Sequence, residues 1–281
     1  MMGAIGSGNV SSGVMTVSLG TSGTLYSYQT SPIDDPSGEI SCFCDSTGSW
    51  LPLACTMNVT TATESIRNSF LGCDFDDFAA TVNSIPAGSN GLLMLPYLEG
   101  ERLPNIPEGT GVLIGLRKET ASAAHLSRAV VEGVTLGLNY GLDRFRRLGL
   151  TVKEIRLIGG GSRSQAWRQI ASDIFKTRVV VPKIEEGPSF GAALQAAWCC
   201  SGEPITDLVD KYVEQDPARV KRKDPGNPEV CAVFDFHKIY STAATVDQIN
   251  SECRTAEIGC IDCKKFVADS MVERLLSLIH I

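Results

Sequence analysis

Residues 154–199 constrain the fold more than any other stretch. EIRLIGGGSRSQAWRQIASDIF (154–175) reads as an apolar strand running into three glycines and then an amphipathic helix. RVVVP (178–182) is a second short strand. PSFGAALQAAWC (188–199) is a second helix, with Pro188 in the first turn, where a missing N–H costs nothing. Strand, glycine turn, helix, strand, helix is the order of an α/β layer, in which helices cover a sheet. Ligands in such folds gather at glycine-rich turns beyond the carboxyl ends of strands.

Upstream, VMTVSLG (14–20), TSG and TLYSY form a strand, a tight turn and a strand, with Gly20 and Gly23 supplying the backbone freedom of the turn. TTATESIRNSF (60–70) reads as a short helix. GLLMLPYLEGERLPNIPEGTGVLIGL (91–116) is too rich in Pro and Gly for a helix and predicts strands joined by an irregular loop. After Thr120 the period changes. Leu126, Val130, Val134, Leu138 and Leu142 recur every four residues, with Ala129, Gly133, Gly137 and Gly141 one step away. That predicts a long helix with a smooth apolar face, ended by Gly149 after Arg144, Arg146 and Arg147.

With 281 residues the chain can form one large or two smaller domains. It carries 32 acidic against 25 basic residues, a net charge of −7, which argues against a nucleic-acid-coating protein and leaves room for a local basic patch. No apolar run reaches the length of a membrane span, and the start lacks a basic segment followed by an apolar one. The expectation is a cytoplasmic protein without a membrane partner, whose ten cysteines are thiols or metal ligands. Cys42, Cys44, Cys55, Cys73, Cys199 and Cys200, in apolar or small-residue settings, read as structural thiols. His237 and His280 stand alone and read as surface residues, and Asp34, in PIDDPSGE, as part of a solvated turn.

Two glycine turns, GTSGT (20–24) and GGGS (159–162), are weak signals singly and informative together. The amides and the Thr21 hydroxyl of the first suit terminal phosphates, and the second opens a helix whose N-terminus is partially positive. Neither matches GxxxxGK[ST] or GxGxxG.

Five ordered motifs extend this reading: MGAIGSGNVSSGVMTVSLGTSGTLY, GLLMLPYLEGERLP, RKETASAAHLSRAVVEGVTLGL, IGGGSRSQAWRQIASDIF and EGPSFGAALQAAW. Over about residues 3–213 the chain resembles the carboxyl-terminal half of the FGGY sugar kinases, and most of all their xylulokinase members. The resemblance implies an α/β, actin-like, ribonuclease-H-type ATPase lobe, the second of two that enclose ATP and sugar. It places Gly20 and Thr21 against the β- and γ-phosphates, Gly160, Gly161 and Gln165 at the adenosine, and Arg67 beside the nucleotide, with Glu132 as a fold residue. It implies Mg²⁺ and ATP-dependent conversion of D-xylulose to D-xylulose 5-phosphate. The catalytic base, an Asp of a GD motif, is expected just upstream of Met1, and the sugar pocket in a missing N-terminal lobe, so this chain holds the ATP-binding half.

Beyond Gln215 the texture changes to the basic, Pro-rich DPARVKRKDPGNPEVC, which sets a boundary at 214–216 and a first domain of 1–214. Residues 215–276, with DPGNPEVCAVFDFHKIYS and CRTAEIGCIDCKKFVADSMVERL, resemble a non-catalytic stretch of bacterial tryptophanyl-tRNA synthetase, without its HIGH and KMSKS signatures. A short, mainly helical, Cys-containing segment is expected. Its Cys231, Cys253, Cys260 and Cys263, spaced C-x21-C-x6-C-x2-C, suit a zinc ion or an iron–sulfur cluster or remain free thiols. RVKRK (219–223) reads as a solvated turn, with no aromatic side chain interleaved for RNA bases. Residues 277–281 continue neither resemblance and read as a non-native tail. The alternative to a kinase half is therefore an inactive chimeric or structural fragment whose tail derives from an RNA-binding synthetase.

Overall fold

The computed structural model describes residues 1–184, 186–213, 228 and 231–279, with side chains described for all of these but 232, 260, 261 and 273–279. The chain divides into two compact units, Met1–Val209 and Asp210–Ile281. The division falls ahead of the boundary read from composition. The RVKRK stretch and His280 lie outside the described residues.

The first unit is built on a mixed α/β sheet. Its strands are β1 (Val14–Leu19), β2 (Gly23–Ser27), β3 (Ser41–Cys44), β4 (Trp50–Thr56), β7 (Glu154–Ile158) and β8 (Arg178–Val180), in the order β3-β4-β2-β1-β7-β8. β1 pairs antiparallel with β2 and parallel with β7, in a register that sets Val17 beside Leu25 on one side and Leu157 on the other. The Pro- and Gly-rich stretch forms a separate ribbon of β5 (Leu93–Leu95) and β6 (Val112–Ile114).

Helices cover both faces. Met15, Val17, Leu19 and Leu25 point into the main core beneath α2 (Thr60–Ile66), α3 (Phe75–Ser84), α4 (Ala123–Arg147) and α5 (Gln165–Phe175). Tyr26 and Leu51 point the other way, against Ala4 of α1 (Met2–Gly6), which crosses α6 (Gly187–Ser201) at Gly6 and Gly191. Thr16, also on that face, is fully buried and bonded to Ser7 Oγ at 2.9 Å and Asn9 Nδ2 at 3.1 Å. Along β1 the apolar Met15, Val17 and Leu19 alternate with the polar Thr16 and Ser18, so one face enters the main core and Thr16 is buried on the other through its hydrogen bonds.

The long helix forms where its period places it, capped by Ser122, whose side chain accepts the His125 amide. Its small residues divide. A Cβ on Gly133 would lie 2.0 Å from the Met94 carbonyl oxygen and one on Gly141 2.9 Å from Leu103, but Gly137 faces open space. The smooth face is thus narrower than the four-residue repeat suggests. Glu132 is a fold residue: its carboxylate accepts from Arg128 Nε at 2.6 Å and the Gly88 amide at 3.0 Å.

The PIDDPSGE loop is only partly solvated. Asp34 is exposed, whereas Asp35 is buried, ion-paired with Arg144 and bonded to the amides of Ser37, Glu39 and Ile40. Burial alone would raise its carboxyl pKa, but the bonds from Arg144, Ser37 and Ile40 outweigh it and hold the carboxyl well below the usual carboxylate range. A depressed folded pKa adds stability above the unfolded value near ~3.9 and loses it as pH falls toward the folded value. The urea midpoint is therefore expected to drop between pH 6 and pH 3, and to drop less in Asp35→Asn. Parallel losses in the two proteins would show that Asp35 carries none of the acid sensitivity.

The second unit contains α8 (Ala232–Tyr240), α9 (Ala243–Arg254) and α10 (Cys260–Ile279), with Phe234, Ile249, Cys253, Ile258 and Cys263 as its small core. His237 corrects its reading as a surface residue, since it is fully buried. Its Nδ1 lies 2.8 Å from Ser241 Oγ, and its Nε2 lies 3.2 Å from the Cys263 carbonyl and 3.4 Å from the Cys263 sulfur. Burial lowers its pKa, against an opposing contribution from the Cys263 backbone. A histidine on an apolar helix face with two polar partners is a satisfied core residue.

Candidate nucleotide-binding cleft

β1 and β7 are parallel neighbours, and their final paired residues, Ser18 and Ile158, lie side by side. The two glycine turns, far apart in the chain, therefore leave the sheet at the same edge. They border a cleft of about 480 Å³ lined by Gly20, Thr21, Gly160 and Gly161, with Thr60, Glu64 and Arg67 from α2 and the turn that follows it.

Sterics shape each turn. Gly159 has φ 87°, and a Cβ there would sit 2.7 Å from the Leu19 carbonyl oxygen. A Cβ on Gly161 would meet Leu19 Cβ and the Trp167 ring at 2.9 Å, whereas one on Gly160 meets nothing within 4 Å. Gly159 and Gly161 thus press the second turn onto the end of β1, and Gly160 faces the cleft with open space beside it. Trp167 is fixed by Nε1 donating to Thr135 Oγ1 at 3.0 Å. In the first turn, the Gly20 carbonyl accepts the Thr60 amide at 2.9 Å and the Thr21 carbonyl accepts the Val59 amide at 3.2 Å and Thr61 Oγ1 at 3.0 Å. Because a trans peptide's N–H opposes its C=O, the Thr21 and Ser22 amides point away from α2.

Of the six residues assigned to the nucleotide, the cleft brings together Gly20, Thr21, Arg67, Gly160 and Gly161. Gln165 is exposed and outside the lining. Ser164 and Trp167 line it, three residues apart on one helical face, and that spacing turns Gln165 aside. The sequence reading also missed the wall supplied by Phe75, Phe78, Ala79 and Val82 of α3, with Val131 of α4 opposite. Its only signal was the apolar spacing of residues 75–82, which looks like any core-facing helix.

Arg67 Nη1 donates to the Cys73 carbonyl at 3.3 Å, and its covered Nε has no hydrogen-bond partner among the described residues. With Arg163 also on the wall, cationic side chains outnumber the Glu64 carboxylate, which suits a polyanion.

Cys231, Cys253 and Cys263 belong to the second unit's core, and the Cys260 side chain lies outside the described residues. Among the described residues no group of three His, Cys, Asp or Glu could hold a metal ion, and no helix is long and apolar enough to cross a membrane.

Similar proteins include sugar kinases. The chain is 40% identical over 245 residues to a xylulose kinase of Haemophilus influenzae, covering 87% of this chain and 48% of the relative. It is 36% identical over 240 residues to one of Bacillus subtilis, covering 84% and 48%. It spans about half the length of these curated relatives. Among solved structures, a xylulose kinase from Bifidobacterium adolescentis superposes with a TM-score of 0.65 at 39% identity, over 72% of this chain and 40% of that one. A Plasmodium falciparum glycerol kinase with ADP shares the fold, with a TM-score of 0.65 at 18% identity, over 74% of this chain and 43% of that one. Residues 15–200 match the model of the C-terminal domain of the FGGY family of carbohydrate kinases, and the chain belongs to that family.

Proposed function

We propose that this chain is the ATP-binding half of a kinase that phosphorylates D-xylulose at its 5-hydroxyl. The observation that carries the proposal is the meeting of the Gly20–Thr21 and Gly160–Gly161 turns in one cleft, in a chain whose relatives bear the name xylulose kinase. Phosphoryl transfer demands little covalent chemistry of a protein. It needs positioning and stabilisation of charge on the transferring group. The Thr21 and Ser22 amides and the Thr21 hydroxyl would hold the β- and γ-phosphates, and Gly160 leaves room for the ribose. Mg²⁺ takes hard oxygen ligands beside substrate phosphates, and Glu64 is a carboxylate on the cleft wall that would serve it. When bound, the ion neutralises charge building on the phosphates.

The base and the sugar pocket fall, in this reading, in the half of the relatives that this chain does not span. Xylulose-dependent ATP consumption by the chain alone should then be absent, since losing a catalytic base costs orders of magnitude. The synthetase-like reading of residues 215–276 rests on sequence alone. In that reading the unit adds structure without catalysis, and a metal among its cysteines would appear in elemental analysis of the purified chain.

Calorimetry with Mg-ATP tests the cleft. Thr21→Ala is expected to weaken binding about tenfold, the worth of one bond to a charged group. Gly160→Asp places a carboxylate in open space, so it should fold normally and weaken binding more. Unchanged affinity in both variants would remove the nucleotide reading.

A further inference from the structure

The cleft lining is of two chemical kinds. Thr21, Thr60, Glu64, Arg67, Arg163 and Ser164 bring polar and charged groups, while α3 contributes a wall of Phe75, Phe78, Ala79 and Val82. Phe78 and Val82 are anchored in the core, but Phe75, at the first position of α3, is 39% exposed. Its backbone is held on two sides. The Asp74 side chain caps α3 by accepting the Asp77 amide at 2.9 Å, and Arg67 binds the Cys73 carbonyl. An aromatic ring presented on a fixed helix end, beside an apolar wall, offers a flat ligand a surface whose burial is favourable.

We infer that Phe75 is a specificity-determining residue of the cleft, stacking on the nucleobase, and that the cleft accepts guanine and adenine nucleotides with little distinction. The inference rests on the nucleotide reading and deepens it. The triphosphate belongs against the donor-rich lining and the base against the apolar wall. The four α3 residues on that wall are all apolar, and the polar lining groups lie on other elements, so a base stacked on Phe75 meets no group of α3 that could read the 6-amino group of adenine against the 6-oxo group of guanine. Apolar pockets discriminate weakly against isosteres that differ by a polar group, and stacking accepts any base because every base has a π-face. Purines, with the larger face, are favoured over pyrimidines.

The test is competition binding to the full chain with Mg-ATP, Mg-GTP, Mg-CTP and inorganic tripolyphosphate as probes. ATP and GTP should bind within about fivefold of each other, and CTP about tenfold more weakly. Phe75→Ala should weaken ATP and GTP about tenfold or more and leave tripolyphosphate unchanged, with Phe75→Trp restoring the purines. Equal loss for ATP and tripolyphosphate would mean that Phe75 supports the fold and not the base, and would overturn the inference. So would a hundredfold preference for ATP over GTP. If Phe75→Ala leaves ATP binding intact while Gly160→Asp abolishes it, the inference fails and the nucleotide reading stands. If neither variant changes ATP binding, or the chain binds no nucleotide, both fail.

Discussion

Glu101→Ala is expected to destabilise the first unit by about 3–5 kcal/mol and to weaken nucleotide binding with it. Glu101 is 3% exposed, and its Oε1 accepts the amides of Met57 at 2.7 Å, Arg102 at 2.7 Å and Leu103 at 3.4 Å. Its Oε2 accepts Asn58 Nδ2 at 3.1 Å and the Asn58 amide at 3.4 Å. Truncation removes the acceptor and strands these donors away from water, which costs more than the bonds themselves contribute. Met57 and Asn58 lead directly into α2, so the wall carrying Thr60, Glu64 and Arg67 loses its anchor. Glu101→Gln keeps one acceptor oxygen and should lose less. Urea denaturation at constant m reads the stability, and a loss below about 0.5 kcal/mol for the alanine variant would mean that the 97–107 loop is held by other contacts.

The second large effect is a contrast within one helix. Gly133→Ala would set a methyl 2.0 Å from the Met94 carbonyl oxygen, a backbone atom of β5 that no rotamer change can move. Overpacking of this kind costs roughly 1–3 kcal/mol and more where backbone must shift. Gly137→Ala, one turn on, meets nothing within 4 Å. It should stabilise by about 0.5–1 kcal/mol, because alanine loses less entropy than glycine in a helix. Thermal unfolding of the two variants should move in opposite directions. A neutral or stabilising shift for Gly133→Ala would show that α4 is not pressed onto β5 at Gly133.

Much of the architecture was legible in the chain because it is written in local periodicity. β1, β2, β7, α4, α5 and α6 all lie where alternation, the four-residue repeat or a glycine stop places them, since each such pattern reports a face that must be buried. The split among Gly133, Gly137 and Gly141 was not legible. Spacing says that three small residues share a helix face, and only the approach of Met94 and Leu103 says which of them are needed. The burial of His237, and of Asp35 beside the exposed Asp34, was hidden for the same reason. Each is a polar residue whose burial depends on partners distant in sequence, Cys263 for one and Arg144 for the other.

The cleft divides likewise. By itself the sequence determined that two glycine turns end strands and that their residue types suit phosphate, because φ preference and exposed amides are local properties. That the turns share one cleft follows from the parallel pairing of β1 with β7, a contact between residues about 140 apart that no local pattern encodes. The apolar wall of α3 was decided the same way. Phe75 is an ordinary helix residue in the chain and becomes part of the cleft wall only because α3 packs against α4 and α5.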